Sequence, residues 1–137
     1  MLVILLILIS CKVSQNVIYK RQMKESFLYT FKLEYFKKLL IKIYNNTDAI
    51  NSILSQDNSG YSEELLTISD YAIIDTFSTI DNYKITQDSI DRIGRVAEGA
   101  QGKHILSFVL YKFNSKWLDS LAKARYKIYY RESLKNE

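Results

Sequence analysis

An all-α fold is predicted from the sequence, in the form of an antiparallel bundle of about four helices. Proline is absent and only four glycines occur in 137 residues, so few positions force the chain to turn. Long stretches carry apolar residues at spacings of three and four, the period of a helix with one buried face. Hydrophobic residues make up 47% of a chain long enough to bury a single core, so one domain is expected.

The first strong helical pattern covers residues 22–45. Its central stripe repeats at every fourth position and consists of Phe27, Phe31, Tyr35, Leu39 and Ile43. Lysines occupy the other side, so a helix lying on a membrane surface is one interpretation and a core helix with a solvated lysine face is the other. We expect the core helix, because the rest of the chain offers apolar faces on which this stripe can pack.

Turn signals at residues 57–60 and 99–102 divide the middle of the chain. Three helices are expected between the end of the first helix and the turn signal at 99–102. They are Ala49–Leu54, a helix from Ser62 to about Tyr83, and a helix capped by Thr86. The β-branched cluster at 72–74 leaves a buried strand open as an alternative there. The acidic residues of this segment are expected to cap helices or lie on solvated faces: Asp70, Asp75, Asp81, Asp88 and Asp91.

Residues 103–133 are expected to form one last helix with the most regular apolar stripe. Its members are Leu106, Val109, Phe113, Trp117, Leu121, Ala124 and Ile128. Trp117 is thereby predicted to lie in the core. At about 100° per residue, the lysines of this helix fall within an arc of about 60° beside or opposite the stripe, with Tyr130 next to them: Lys112, Lys116, Lys123 and Lys127.

This row of lysines is the surface feature that best fits a binding role. A solvated helix face is one interpretation, and recognition of a polyanion by the lysines and Tyr130 is the functional one. A sulfated glycan, a lipid headgroup or an acidic protein would suit. Nucleic acid fits the charge too, but it is not expected as a partner, because the apolar run Leu2–Ile9 at the amino terminus is typical of an exported protein. The net charge of +4 comes from basic segments at both ends and an acidic middle, so both ends could face an anionic surface.

No motif in the sequence predicts catalysis, a metal site or a cofactor site. His104 is the only histidine and has no glutamate or cysteine at helical ligand spacing. No serine lies in a nucleophile elbow, and the glycines form no phosphate-binding loop. We therefore expect a protein that is not an enzyme.

The amino-terminal residues suggest where the protein is located. An apolar run from Leu2 to Ile9 is followed by Ser10 and by the only cysteine, Cys11. As a helix this run reaches about 12 Å, too short for a hydrocarbon core of about 30 Å but long enough for the apolar part of a signal peptide. The expected division is a signal peptide at 1–10, a tether at 11–21 and a helical domain at 22–137. A buried strand or helix end with an incidental cysteine is the alternative.

Leu8-Ile9-Ser10-Cys11 resembles the lipobox of bacterial lipoproteins. The resemblance implies that Cys11 is lipidated and becomes the first residue of the mature chain. Lys12 is not the aspartate associated with inner-membrane retention in that family, which implies the outer membrane or the cell surface. The small lysine- and isoleucine-rich body resembles, in composition, surface lipoproteins of spirochaetes and other AT-rich bacteria.

That resemblance implies a lipid-anchored envelope protein that displays a binding surface for a host or polyanionic ligand. The alternative is a structural or exclusion lipoprotein that acts through helix packing with a membrane partner.

Overall fold

The computed structural model describes residues 2–57, 59, 65–93, 95–97 and 101–135, with the backbone alone for 2–16. The helices are α1 Leu2–Ile43, α2 Asp48–Ser55, α3 Ile68–Asp91, α4 Ile105–Phe113 and α5 Lys116–Ser133. No strand occurs in these ranges, so the all-α prediction is confirmed. The strand alternative at 72–74 is wrong, because these residues lie inside α3.

Helix α1 is the centre of the fold and packs against each of the other helices. Phe27, Phe31, Tyr35 and Leu39 are fully buried, and Ile43 nearly so. The core-helix prediction for this segment is therefore confirmed over the membrane-surface alternative. Asn45 and Asn46 follow α1 with positive φ angles of 54° each, a left-handed conformation that asparagine tolerates and that ends a helix.

Contacting residues show the directions of the helices. The Lys20 ammonium lies over the Tyr130 ring, and the Tyr35 ring contacts the Trp117 ring. Residue numbers thus increase along α1 as they decrease along α5, so the two helices are antiparallel. Asp70 contacts Arg125 and Phe77 contacts Trp117, so α3 and α5 are antiparallel too. Helices α1 and α3 consequently run parallel to each other. The antiparallel arrangement predicted for the whole bundle thus does not describe this pair, because the segment containing α2 returns along the bundle before α3 begins.

The backbone of residues 12–20 is helical and continuous with the core part of α1. The tether predicted at 11–21 is therefore not confirmed as a separate segment, and residues 12–20 rise about 13 Å along the helix. Val17, Ile18 and Tyr19 are exposed along this stretch. The side chain of Cys11 lies outside the described residues. No helix in the described ranges has the length and apolarity to cross a membrane.

Helix α3 begins later and continues further than predicted. Leu65 and Leu66 are buried but not helical, and Thr67 is the N-cap, with Asp70 completing a capping box. Residues 61–64, where the predicted start lies, are outside the described ranges. Thr86 does not cap a separate helix, because its hydroxyl donates to the Asn82 carbonyl oxygen at 2.9 Å within α3. Threonine can thus satisfy its side chain inside a continuous helix.

The predicted last helix is divided at Asn114 and Ser115 into α4 and α5. The Ser115 hydroxyl accepts a hydrogen bond from the Leu118 amide at 3.2 Å and caps α5. Because α5 begins as a new helix after this break, a different set of its residues faces the core from the set that one continuous helix would present. Leu118 and Ala122 are the residues fully buried on α5. Trp117 is 42% exposed, which makes its predicted core position wrong.

Candidate functional site

Three of the four predicted lysines lie together on α5. Lys116, Lys123 and Lys127 are exposed, and their spacing places them within an arc of about 40°. Within the described ranges, no carboxylate lies at ion-pair distance from these three ammonium groups. They form a row of free positive charge on the side of α5 that faces away from α1.

Arg131 extends this row by one further helical turn. It follows Lys127 by four residues and is exposed. We call the set Lys116, Lys123, Lys127 and Arg131 the α5 basic face; it spans about 22 Å along the helix. Arg131 was not among the predicted site residues, because at about 100° per residue it lies about 40° outside the arc of the predicted lysines.

Tyr130 is partly buried beside this face. Its ring stacks on Tyr126, with 6.1 Å between centroids, and the Lys20 ammonium lies 5.7 Å from its centroid. Burial is the main cause that raises the pKa of the Tyr126 phenol, and the neighbouring Tyr130 raises it further. Tyr130 therefore connects the end of α5 to α1, and its role in ligand binding stays a prediction.

Lys112 does not share the face predicted for it. It lies on α4, and its ammonium contacts both carboxylate oxygens of Asp81 at 2.9 Å. The Lys112 side chain is 17% exposed and lies near the rings of Trp117 and Phe108, at 5.4 and 5.5 Å from their centroids. The helix break at Ser115 separates Lys112 from the other lysines, and its ion pair turns it towards α3. Its placement on one solvated helix face is wrong.

Asp81 is the centre of a buried polar cluster that the sequence did not predict. Asp81 is only 2% exposed, and the Tyr35 hydroxyl donates a hydrogen bond of 2.6 Å to its carboxylate. Burial, followed by this hydrogen bond, raises the pKa of Tyr35 well above its ordinary value of about 10. The expectation that Asp81 caps a helix or lies on a solvated face is wrong, whereas Asp70 does take part in capping.

A cavity of about 350 Å³ opens next to this cluster. It is lined by Phe77, Ile80, Asp81, Lys84, Lys112 and Trp117. Lys84 is exposed at its rim, with its ammonium 3.5 Å from Asp81. One carboxylate is therefore shared by two ammonium groups and a phenol, an arrangement that neutralises buried charge and holds α1, α3 and α4 together.

His104 occupies the N-cap position of α4. Within the part of the chain that the structure describes, no group of three or more histidine, cysteine, aspartate or glutamate residues could hold a metal ion.

Comparisons with known proteins give no further guide to this site. No protein-family model matches the chain, and no curated protein or solved structure matches it significantly.

Proposed function

We propose that this protein is a bacterial envelope lipoprotein, anchored through Cys11, whose α5 basic face binds a polyanionic ligand at the cell surface. The observation that carries the proposal is the row of exposed cations on α5 that have no carboxylate partner among the described residues, in a chain that also contains a lipobox-like segment. A sulfated glycan or an acidic host protein has the charge to match this row.

The anchor is supported by the sequence and by the course of α1. Leu8-Ile9-Ser10-Cys11 has the residue types of a lipobox and follows an apolar run of signal-peptide length. The α1 backbone continues without a break from this segment into the core. An acyl group on Cys11 would therefore be joined to the bundle by a helical connection.

The binding face is supported by the energetics of its side chains. A lysine already paired with a carboxylate must lose that partner before it binds another anion, as Lys32 would lose Asp119 at 2.7 Å. Lys116, Lys123 and Lys127 have no such partner among the described residues. They can contact an anion without breaking a bond within the protein, and such contacts weaken as salt increases.

The alternative function, a structural or exclusion lipoprotein, is supported by a different surface. Large apolar side chains are exposed on α3 and α4, namely Ile80, Tyr83, Leu106, Leu110 and Tyr111. Exposed apolar patches are common where proteins contact one another. A helical membrane partner could pack there.

Heparin binding by the full chain carrying Cys11→Ala tests the proposed face. We expect an affinity that falls steeply with salt, and a loss of about tenfold or more in the double variant Lys116→Glu, Lys123→Glu. The matched control is Arg92→Glu, Arg95→Glu, which changes the net charge equally beyond the end of α3. Equal losses in both double variants would show that only net charge matters and would contradict a specific face.

Membrane fractionation of bacteria that express the chain tests the anchor. The parent is expected in the membrane fraction, and Cys11→Ala is expected to release it, because one lipid attachment site would be lost. Unchanged partitioning of this variant would contradict lipidation at Cys11.

A further inference from the structure

We propose that the membrane-proximal end of the bundle binds the anionic lipid headgroups of the membrane that holds the anchor. The proposal rests on the lipid anchor at Cys11 and divides the α5 basic face. Arg131, the member nearest to the membrane, contacts lipid, whereas Lys116 and Lys123 remain available to a soluble polyanion.

The start of the core part of α1 and the end of α5 lie side by side. The Lys20 ammonium lies over the Tyr130 ring, and the Phe27 ring lies 5.2 Å from that of Tyr129 and 5.5 Å from that of Tyr126. Because α1 and α5 are antiparallel, the carboxy-terminal turns of α5 meet the part of α1 nearest to Cys11. The fold therefore brings residues from opposite ends of the sequence to one end of the bundle.

This end carries a marked excess of positive charge. We define the basic collar as the six exposed cations whose side chains the structure describes there: Lys20, Arg21, Lys24, Lys127, Arg131 and Lys135. The acids nearest in sequence on the same helices are Glu25, which Arg21 already contacts at 2.9 Å, and Glu132. At the other end, Asp88 and Asp91 close α3 and are balanced by Arg92, which contacts Asp88 at 2.9 Å, and by Arg95. Charge is thus unevenly distributed along the bundle axis.

Aromatic and apolar side chains accompany the collar. Val17, Ile18 and Tyr19 are exposed on α1 just before it. Tyr126, Tyr129 and Tyr130 form a cluster at the end of α5. Tyrosine is enriched where proteins meet the headgroup layer, because its ring is apolar and its hydroxyl is polar. The composition of this end therefore matches a lipid–water interface.

The short distance along α1 from Cys11 to the collar favours lipid over a soluble polyanion as the ligand of the collar. Nine helical residues place Lys20 about 13 Å from Cys11, and the headgroup layer covers about 6 Å of that distance. The remaining gap is shorter than the Debye length of about 8 Å at physiological salt. On α5, Arg131 directly follows Tyr130, the residue that Lys20 contacts, whereas Lys127 lies about 6 Å and Lys116 about 22 Å farther from the membrane than Arg131. The helical connection thus selects which cations the membrane attracts.

Vesicle binding by the full chain carrying Cys11→Ser tests the proposal without a lipid anchor. Partition coefficients are measured by co-sedimentation with vesicles of neutral phosphatidylcholine, and with vesicles containing phosphatidylglycerol. The neutral vesicles report insertion of the apolar residues 2–9, and the ratio of the two coefficients reports headgroup attraction. We expect a ratio of about tenfold or more at physiological salt, since each cation near an anionic surface strengthens binding about fivefold.

The double variant Arg131→Glu, Lys135→Glu is expected to lower that ratio at least fivefold. Arg92→Glu, Arg95→Glu, with the same change in net charge, should leave it within about twofold. Circular dichroism checks that both variants remain helical. Equal partitioning of the parent into both vesicles, or equal losses in the two variants, would overturn the proposal.

Heparin binding separates the possible failures. A chain that binds heparin through Lys116 and Lys123 but does not prefer anionic vesicles would retain the proposed function and refute the lipid contact. A chain that prefers anionic vesicles but ignores heparin would support the collar and contradict the soluble polyanion. If neither is bound, both proposals are wrong.

Discussion

Two buried carboxylates on α3 show how differently one helix can hold negative charge. Asp70 and Asp81 are 1% and 2% exposed and lie eleven residues apart, so both face the same side of α3. Asp70 is in the first turn, where it accepts hydrogen bonds from the Thr67 amide and hydroxyl as well as from Arg125. Asp81 is in the middle of the helix and relies on Lys112, Tyr35 and Lys84.

The difference is one of local against tertiary stabilisation. At a helix N-terminus, unpaired amides and the helix dipole favour a carboxylate before any other helix packs against it. In the middle of a helix the amides are already bonded within the helix, so a buried carboxylate needs partners from elsewhere. Asp81 should therefore depend more strongly than Asp70 on its cation.

Removing the cation of Asp81 is expected to have the largest effect. Lys112→Met keeps the length of the side chain but leaves the buried carboxylate with Tyr35 and the exposed Lys84. We expect a loss of about 3 kcal/mol in the free energy of unfolding, measured by urea denaturation. Lys116→Met, an exposed control on α5, should change it by less than about 0.5 kcal/mol. Similar losses in the two variants would mean that the Asp81 ion pair is not protected from water.

Removing the cation of Asp70 should be less severe. In Arg125→Met, Asp70 keeps its hydrogen bonds with Thr67 and the favourable end of the α3 dipole. We expect a loss of about 2 kcal/mol in the same experiment. A loss larger than that of Lys112→Met would reverse the comparison, since it would show that capping does little for the buried carboxylate.

The smallest effect is expected from the hydroxyl of Tyr35, and it should depend on pH. Tyr35→Phe is expected to lose about 1.5 kcal/mol near neutral pH, because one hydrogen bond to Asp81 is removed. The raised pKa keeps Tyr35 protonated in the folded protein, whereas the unfolded chain loses this proton above about pH 10. The stability that Tyr35 contributes is therefore complete below about pH 10 and decreases above it by about 1.4 kcal/mol per pH unit.

Urea denaturation at about pH 8 and about pH 11 measures this dependence. The difference between parent and Tyr35→Phe should be present at the lower pH and close to zero at the higher one. The variant should still lose some stability in alkali, because burial also raises the pKa of Tyr126. A difference that is independent of pH would indicate that Tyr35 ionises normally in the folded protein.

The parts of the fold that depend on nearby residues were predicted well. The stripe of α1 identified its buried side, because burial of large apolar residues along a continuous helix follows from their period. The short helix predicted at Ala49–Leu54 corresponds to α2, Asp48–Ser55. In the turn expected next, the Asp57 carboxylate accepts a hydrogen bond from the Ser59 amide at 3.0 Å, whereas residues 58 and 60 lie outside the described ranges. The structure places three of the four predicted lysines on one face, since they fall within one uninterrupted helix.

Other features depended on choices that the sequence leaves open. Ser115 and Thr86 both have N-cap chemistry, yet one begins a helix and the other lies inside one. Packing of the α4 and α5 faces decides between these outcomes, and a single break then shifted Trp117 out of the core and Leu118 into it. Lys112 could not be assigned for the same reason, because its partner Asp81 is 31 residues away.

The sequence by itself determined the helical class, the buried side of α1 and the row of cations on α5, because period and side-chain polarity act over a few residues. Only the tertiary structure decided which carboxylate is buried, which lysine pairs with it, and which end of α5 lies beside the start of the α1 core. These choices depend on contacts between helices far apart in the chain, and their energies come from burial and charge pairing that no local pattern contains.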